Sequence, residues 1–372
     1  MGFAAKYALA RMAHPEGTSD MTTPLQQLLG TDLPLIQAPM AGVQGSAMAI
    51  AVSNAGGLGS LPCAMLSADT MRSELAAIRA GTGKPFNVNF FCHTPPEPSA
   101  EREAAWRSAL APYYAEFGID AASIPTGPGR NPFSADVATV LAEFRPEVVS
   151  FHFGLPSEAL MAQVHGWGAK VLASATTVEE ARWLEARGVD AVIAQGLEAG
   201  GHRGHFLSHD LTRQLGTFAL LPQLVHAVKV PVIAAGGIAD AAGVAAAMAL
   251  GAAGVQVGTA YLLAPEATTS AVHRAALKSQ AARHTALTNL FTGRPARGIV
   301  NRVMRELGPI GAAAPEFPLA TSGIAPLRAK AEAQGSGDFS PLWSGQNATG
   351  CRELPAAEIT RALAQGFQSL TA

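Results

Sequence analysis

VPVIAAGGIADAAGVAAAMALGAAGVQVGTAYL, residues 230–262, holds a complete strand–helix–strand unit. Its first run, VPVIAAGG (230–237), is apolar throughout, as a strand covered on both faces of a parallel sheet must be. Asp240 then stands where a helix N-cap belongs, and apolar spacing near 3.6 continues from Asp240 to Leu250. Gly251 follows, a residue that suits the left-handed turn after a helix, and GVQVGTAYL (254–262) opens the next strand.

Six further runs of the same kind lie upstream: LPLIQAPM (33–40), GGLGSL (56–61), FNVNFF (86–91), VVSFHFG (148–154), KVLASAT (170–176) and AVIAQG (191–196). Helical spacing fills Ala47–Ser53, Ala68–Ala80, Ser157–Trp167, Val178–Arg187 and Leu215–Val228 between them. Gly81, Gly168 and Gly188 are read as helix ends, and Thr177 as an N-cap. Eight strands alternating with helices predict an α/β fold, a (β/α)₈ TIM barrel. An open doubly wound sheet is the alternative; the count, and the lack of G-x-G-x-x-G after the first strand, favour the barrel.

Two stretches exceed a minimal barrel. Residues 92–147 carry a helical piece, Glu101–Phe117, and a turn-rich piece, Pro125–Pro132. Beyond the eighth strand, 263–330 reads as a small, mostly helical accessory domain. The expected division is thus an extension over 1–22, a barrel over 23–262 with its insertion at 92–147, the accessory domain, and a C-terminal loop and helix over 331–372 that return to the barrel. The terminal helix is expected over Leu354–Ser369.

Composition narrows the function. Charged residues make up 15% of the chain against about 25% in an average globular protein, which excludes a disordered chain and favours a large core of small apolar residues. A net charge of −2 lacks the basic footprint of a nucleic-acid binder. Three cysteines without paired spacing fit a reducing, cytoplasmic setting rather than a disulfide scaffold. No apolar run reaches the 18 or so residues of a membrane span, and the first twenty residues lack the apolar stretch of a secretory signal; Met21 is an alternative start.

In a parallel barrel the chemistry gathers at the C-terminal strand ends. There stand Pro39, Met40 and Gly42, then Asn89, His152, Gln195, Gly236-Gly237 and Gln256-Val257-Gly258-Thr259. Glycines after the seventh and eighth strands, beside the helix opened by Asp240, form the pattern of a phosphate cradle of backbone N–H groups. A mouth lined by glycine and amide side chains (Asn89, Gln195) suits a flavin mononucleotide, FMN.

Of ten histidines, His14, His93, His165, His226, His273 and His284 read as surface or packing residues. His152 reads equally as a core histidine or a functional one. His202, in a glycine-flanked loop after the sixth strand, is the better candidate for a base. His202, His205 and His209 have no element to fix a ligand geometry, so no metal is expected. Glu198 serves either as a carboxylate in the chemistry or as an anchor for its loop, and no hydrolase motif occurs.

QAPMAG (37–42), GKPFNVNFF (83–91), SFHFGLP (150–156), AQGLEAGGHRG (194–204), VPVIAAGGI (230–238), GVQVGTAYL (254–262), FTGRPARGIVNR (291–302) and PLWSGQ (341–346) resemble the motifs of the nitronate monooxygenases, formerly 2-nitropropane dioxygenases, over about residues 24–355. SFHFGLP and PLWSGQ look more like the class I branch. The resemblance implies flavin contacts at Met40, Gly42, Asn89, Gln195, Gly200, Gly237, Gln256, Val257, Gly258 and Thr259. It implies His202 as the active-site base and His152 on the substrate side of the ring. The activity implied is FMN-dependent oxidation of alkyl nitronates, such as propionate 3-nitronate, by O₂ to a carbonyl product and nitrite or nitrate, with one-electron transfer to the flavin. The glycine–histidine block is shared with NAD(P)H-dependent flavin reductases, including type II enoyl-ACP reductases, so that activity is the alternative. Partners are the small-molecule nitronate and O₂, with neither nucleic acid nor membrane; a homodimer is left open.

Overall fold

The computed structural model describes residues 22–124 and 130–368. Residues 1–21, including His14, and most of the turn-rich piece at 125–132 lie outside the described residues. Among the described residues no helix is long and apolar enough to cross a membrane.

The eight strands are β1 (Leu35–Gln37), β2 (Gly59–Pro62), β3 (Phe86–Phe91), β4 (Val148–His152), β5 (Lys170–Ala175), β6 (Ala191–Gln195), β8 (Val232–Ala235) and β9 (Gly254–Val257). They pair in parallel in the order β1-β9-β8-β6-β5-β4-β3-β2. A parallel bridge between Ile36 and Leu58 joins β1 to β2, with Leu58 N donating to Leu35 O at 2.8 Å, so the sheet closes on itself. All six residues of β3 are buried, as are nearly all in the other strands; this two-sided burial is why the runs read as uniformly apolar.

Helix α1 (Pro24–Leu29) precedes β1 and sends Leu25 and Leu29 against Val148, Ala191 and Ile233 near the strand starts, plugging the N-terminal end of the barrel. The outer helices are α2 (Ser46–Asn54), α3 (Ala68–Gly81), α5 (Ala135–Phe144), α6 (Glu158–Gly166), α7 (Val178–Glu185), α8 (Thr217–Ala227) and α9 (Ala241–Ala249). Thr177 accepts from Glu180 N and Asp240 from Gly243 N, as expected of N-caps. Gly81 does not end its helix in a left-handed turn. It is the last helical residue, and a Cβ there would lie 2.6 Å from Ile50 Cδ1, so close packing against α2 is what requires the glycine.

Helix α5 was hidden in the stretch read as an insertion. Ser134 caps it, Ala138 and Leu141 join the barrel core, and it supplies the helix between β3 and β4. Helix α4 (Ala100–Glu116) instead leaves the barrel and packs on α12 (Ala320–Ala333). There Trp106 Nε1 donates to Ala320 O at 3.0 Å and Tyr114 OH to Gly323 O at 2.6 Å. These residues share a second core with Leu290, Phe291, Met304, Leu327 and Phe339.

The segment after β9 carries helices α10 (Ala271–Leu277), α11 (Arg302–Leu307) and α12, and also strands β10 (Thr285–Thr288) and β11 (Ala296–Ile299). With β7 (Gly201–His202) these form a three-stranded antiparallel sheet that sequence patterning did not reveal, since strands of two to four residues show no measurable period. The last helix, α13 (Ala356–Gln368), lies against α9 and α2, and Tyr261 OH meets Thr360 Oγ1 at 2.9 Å in a fully buried contact.

Candidate active site

The C-terminal strand ends open into a cleft. Met40 from β1, Asn89 and Phe91 from β3, Ser150 and His152 from β4, Ser174 from β5, Gln195 from β6, Gly237 after β8 and Gln256 in β9 all line it. Gly200, His202, Val257, Gly258 and Thr259 line it too, so every sequence-predicted site residue but one comes together. The exception is Gly42. Its neighbours Ala41 and Val43 line the cleft, while Gly42 takes φ +83° and turns the chain between them.

The glycines after β8 take special backbone conformations. Gly236 (φ +113°) and Gly237 (φ +76°) adopt conformations that L-residues rarely reach, just before the Asp240 cap of α9. Glu198 braces this corner: Thr217 N donates to both its carboxylate oxygens, at 3.0 and 2.8 Å. Its carboxylate is thereby committed to holding the loop. Beneath, the fully buried Arg203 donates to Gly196 O at 2.6 Å and Gln195 O at 2.8 Å, fixing the end of β6.

His202 is held by both neighbouring sheets. Its residue pairs with Ala296 of β11, and its carbonyl accepts from Gln195 Nε2 at 2.9 Å. Its ring Nε2 meets Thr292 Oγ1 at 2.9 Å, and Nδ1 has no hydrogen-bond partner among the described residues. Phe317 and Trp343 wall the ring, with centroids 5.4 and 5.6 Å away. Burial, reinforced by the positive charge of Arg130, holds His202 well below the ordinary histidine range, so the ring is neutral at pH 7.

His152 has a different situation. Its Nε2 lies 3.1 Å from His202 O, a carbonyl that can only accept, so Nε2 carries the proton. Nδ1 is then the acceptor and takes the Ser174 hydroxyl at 3.0 Å. Both nitrogens are spent on the protein, and His152 holds His202 in place rather than offering a free atom to a ligand. His205 and His209 stack edge to face 5.7 Å apart, and among the described residues no three His, Cys, Asp or Glu side chains are grouped to hold a metal ion.

The family model for nitronate monooxygenases matches residues 22–366. The chain belongs to the nitronate monooxygenase family. The nitronate monooxygenase of Pseudomonas aeruginosa is 44% identical over 351 residues, covering 93% of this chain and 99% of the relative. That of Paraburkholderia phytofirmans is 45% identical over 359 residues, covering 93% and 96%. Among solved structures, nitroalkane oxidase from Streptomyces ansochromogenes superposes with a TM-score of 0.83 at 39% identity, over 93% of this chain and 99% of that one. FabK from Thermotoga maritima is more distant, with a TM-score of 0.69 at 28% identity over 94% and 97%.

Against this family frame, sequence reasoning passed over several cleft residues. His273, read as a surface or packing residue, is buried in the cleft wall and its Nε2 donates to Trp343 O at 3.0 Å. Trp343, Gly345 and Asn347 come from the tail: Gly345 N donates to Thr259 Oγ1 at 3.0 Å and Asn347 Nδ2 to Gly237 O at 3.1 Å. PLWSGQ was the visible signal for Trp343 and Gly345, without a hint of where it would dock, and Asn347 lies just beyond it.

Burial pushes His152 and His273 down to about 4 each. In the unfolded chain both titrate near 6.5. Their contribution to stability is therefore complete above about pH 6.5 and lost as the pH falls towards 4. The urea midpoint is expected to drop between pH 7 and 4.5, and less steeply in His273→Gln; identical slopes for the two proteins would refute the assignment.

Proposed function

We propose that the protein oxidises alkyl nitronates with O₂, using flavin mononucleotide held in the barrel mouth. The observation that carries the reading is the neutral His202 ring with its unengaged Nδ1, enclosed in the cleft of a nitronate monooxygenase family member.

The cleft has features that fit the cofactor. The buried side-chain oxygen of Gln256 has no hydrogen-bond partner among the described residues, an acceptor open to a ligand N–H. Gly258 leaves a gap that a Cβ would fill, 3.3 Å from Ala38 Cβ and 3.6 Å from Met40 Sδ. Met40, Asn89, Gln195, Gly200, Gly237, Gln256, Val257, Gly258 and Thr259 would hold the flavin, its phosphate lying on the Gly236–Gly237 backbone. Bound flavin would supply the electron acceptor, and O₂ would regenerate it.

The chain's own residues do the rest. His202 Nδ1 would take the α-proton of a neutral nitroalkane; towards a preformed nitronate, His202 only orients the anion. Thr292, His152 and Gln195 keep that ring and its backbone in place. Phe91, Phe317 and Trp343 keep water from the reacting carbon. On this reading 23–262 is the cofactor-binding unit, with the α4 stretch inserted between β3 and α5, while His273 and the tail residues Trp343, Gly345 and Asn347 close over it.

Anaerobic mixing of the flavin-loaded protein with propionate 3-nitronate, and separately with NADH, tests the reading. Loss of oxidised-flavin absorbance with nitronate alone is expected. Full bleaching by NADH, with nitronate inert, would instead establish the flavin-reductase alternative.

A further inference from the structure

Among the described residues lining the cleft, no aspartate, glutamate or lysine occurs, and Arg130 is the one side chain with a formal charge at neutral pH. The three histidines in the wall are neutral. Arg130 lies in the segment between β3 and β4. Phe133 N donates to Phe91 O at 2.8 Å, which anchors this segment at the C-terminal end of β3.

The guanidinium is unusually placed for a cation. It is largely buried, and among the described residues its Nη1 has no hydrogen-bond partner and no carboxylate pairs with it. Desolvation lowers its pKa only to about 10, so it stays charged. An enclosed, unpaired guanidinium N–H is costly unless a ligand completes it. Arg130 also borders a second cavity, beside Asn131 and Ser134.

Position tells which ligand. In the ring of eight strands β3 stands four places from β8, directly across the barrel from the Gly236–Gly237 corner. The anion at Arg130 is therefore not the one that the glycine cradle would hold. Arg130 Cζ is 5.5 Å from the Phe317 ring centroid and the His202 ring is 5.4 Å from the same centroid. Arg130 and His202 thus flank one aromatic wall, within reach of a single small molecule.

We propose that Arg130 is the anion-binding, specificity-determining residue of the cleft, its fork of N–H donors receiving a planar two-oxygen anion of the substrate while His202 faces the reacting carbon. A nitronate and a carboxylate present the same planar oxygen pair, and the guanidinium fork matches either. Calling that anion a substrate group rests on the nitronate-oxidation reading; the binding site itself does not.

The test is calorimetric titration of the flavin-loaded wild type, Arg130→Gln and Arg130→Lys with butyrate, which ends in one planar anion, and succinate, which carries two. Binding is expected to weaken at least tenfold in Arg130→Gln and less in Arg130→Lys, with thermal midpoints unchanged. In parallel, KM for nitronate should rise by a similar factor while kcat stays within about threefold. Equal losses for both acids put the reacting-end anion on Arg130, and a loss for succinate alone puts the far carboxylate there; either result supports the site. Unchanged binding in both variants, or a wild type that binds neither acid at millimolar concentration, overturns it. Arginine-dependent acid binding without nitronate turnover would remove the functional reading and leave the site standing; nitronate turnover with an unchanged KM in Arg130→Gln would do the reverse.

Discussion

Turnover of a neutral nitroalkane is expected to fall by about 10²–10⁴-fold when His202 is replaced by asparagine, the range that a positioned general base supplies. Turnover of a preformed nitronate should fall far less, because no proton then has to leave carbon. The split between the two substrates is the decisive readout, since a merely misfolded site would lose both. Thr292 sharpens it. Thr292 Oγ1 is the sole hydrogen-bond partner of the His202 ring among the described residues, at 2.9 Å. Thr292→Val keeps the shape and removes the hydroxyl, so it should reproduce part of the nitroalkane defect and shift the pH profile, while Thr292→Ser should restore both. Equal losses on both substrates in His202→Asn would mean that the histidine does not act as the base.

Gly200→Ala is expected to weaken flavin retention rather than the chemistry. A Cβ at this position would lie 2.6 Å from Gly345 N and 2.6 Å from the Ser344 carbonyl carbon, both backbone atoms that cannot swing aside. The tail would have to lift, taking with it the bonds from Gln346 N to Glu198 O, from Gly345 N to Thr259 and from Asn347 to Gly237. Overpacking of this kind costs about 1–3 kcal/mol, roughly 5- to 150-fold in affinity. Fluorescence of flavin released on dilution measures it, and a variant that keeps its full flavin content would disprove the tail's part in the cradle.

Much of this was legible in the sequence, for local reasons. Strands buried on both faces must be apolar, and caps such as Thr177 and Asp240 act within three residues of themselves, so eight strands and most barrel helices could be read directly. The Gly236–Gly237 turn was legible because the two glycines are neighbours. What escaped depends on chain segments that meet only after folding. His273 sits on a short helix whose composition says nothing of the cleft, and Arg130 gains its meaning from being the one charged side chain in the described cleft wall. From its buried strand His152 read equally as a core histidine or a functional one; only the geometry shows Ser174 and His202 satisfying both its nitrogens.

The pairing of α4 with α12 bears on how the chain is made. Trp106 and its partner Ala320 are 214 residues apart, so at about 5–20 residues per second a ribosome delivers the second about ten to forty seconds after the first. For most of that interval Trp106, Leu110, Tyr113 and Tyr114 lack the partners that complete their core, since Leu290, Phe291, Met304, Leu327 and Phe339 all come from residue 290 onward. The barrel strands before them can begin to associate, yet this helix stays open to chaperones, proteases and other nascent chains until the last third of the protein emerges.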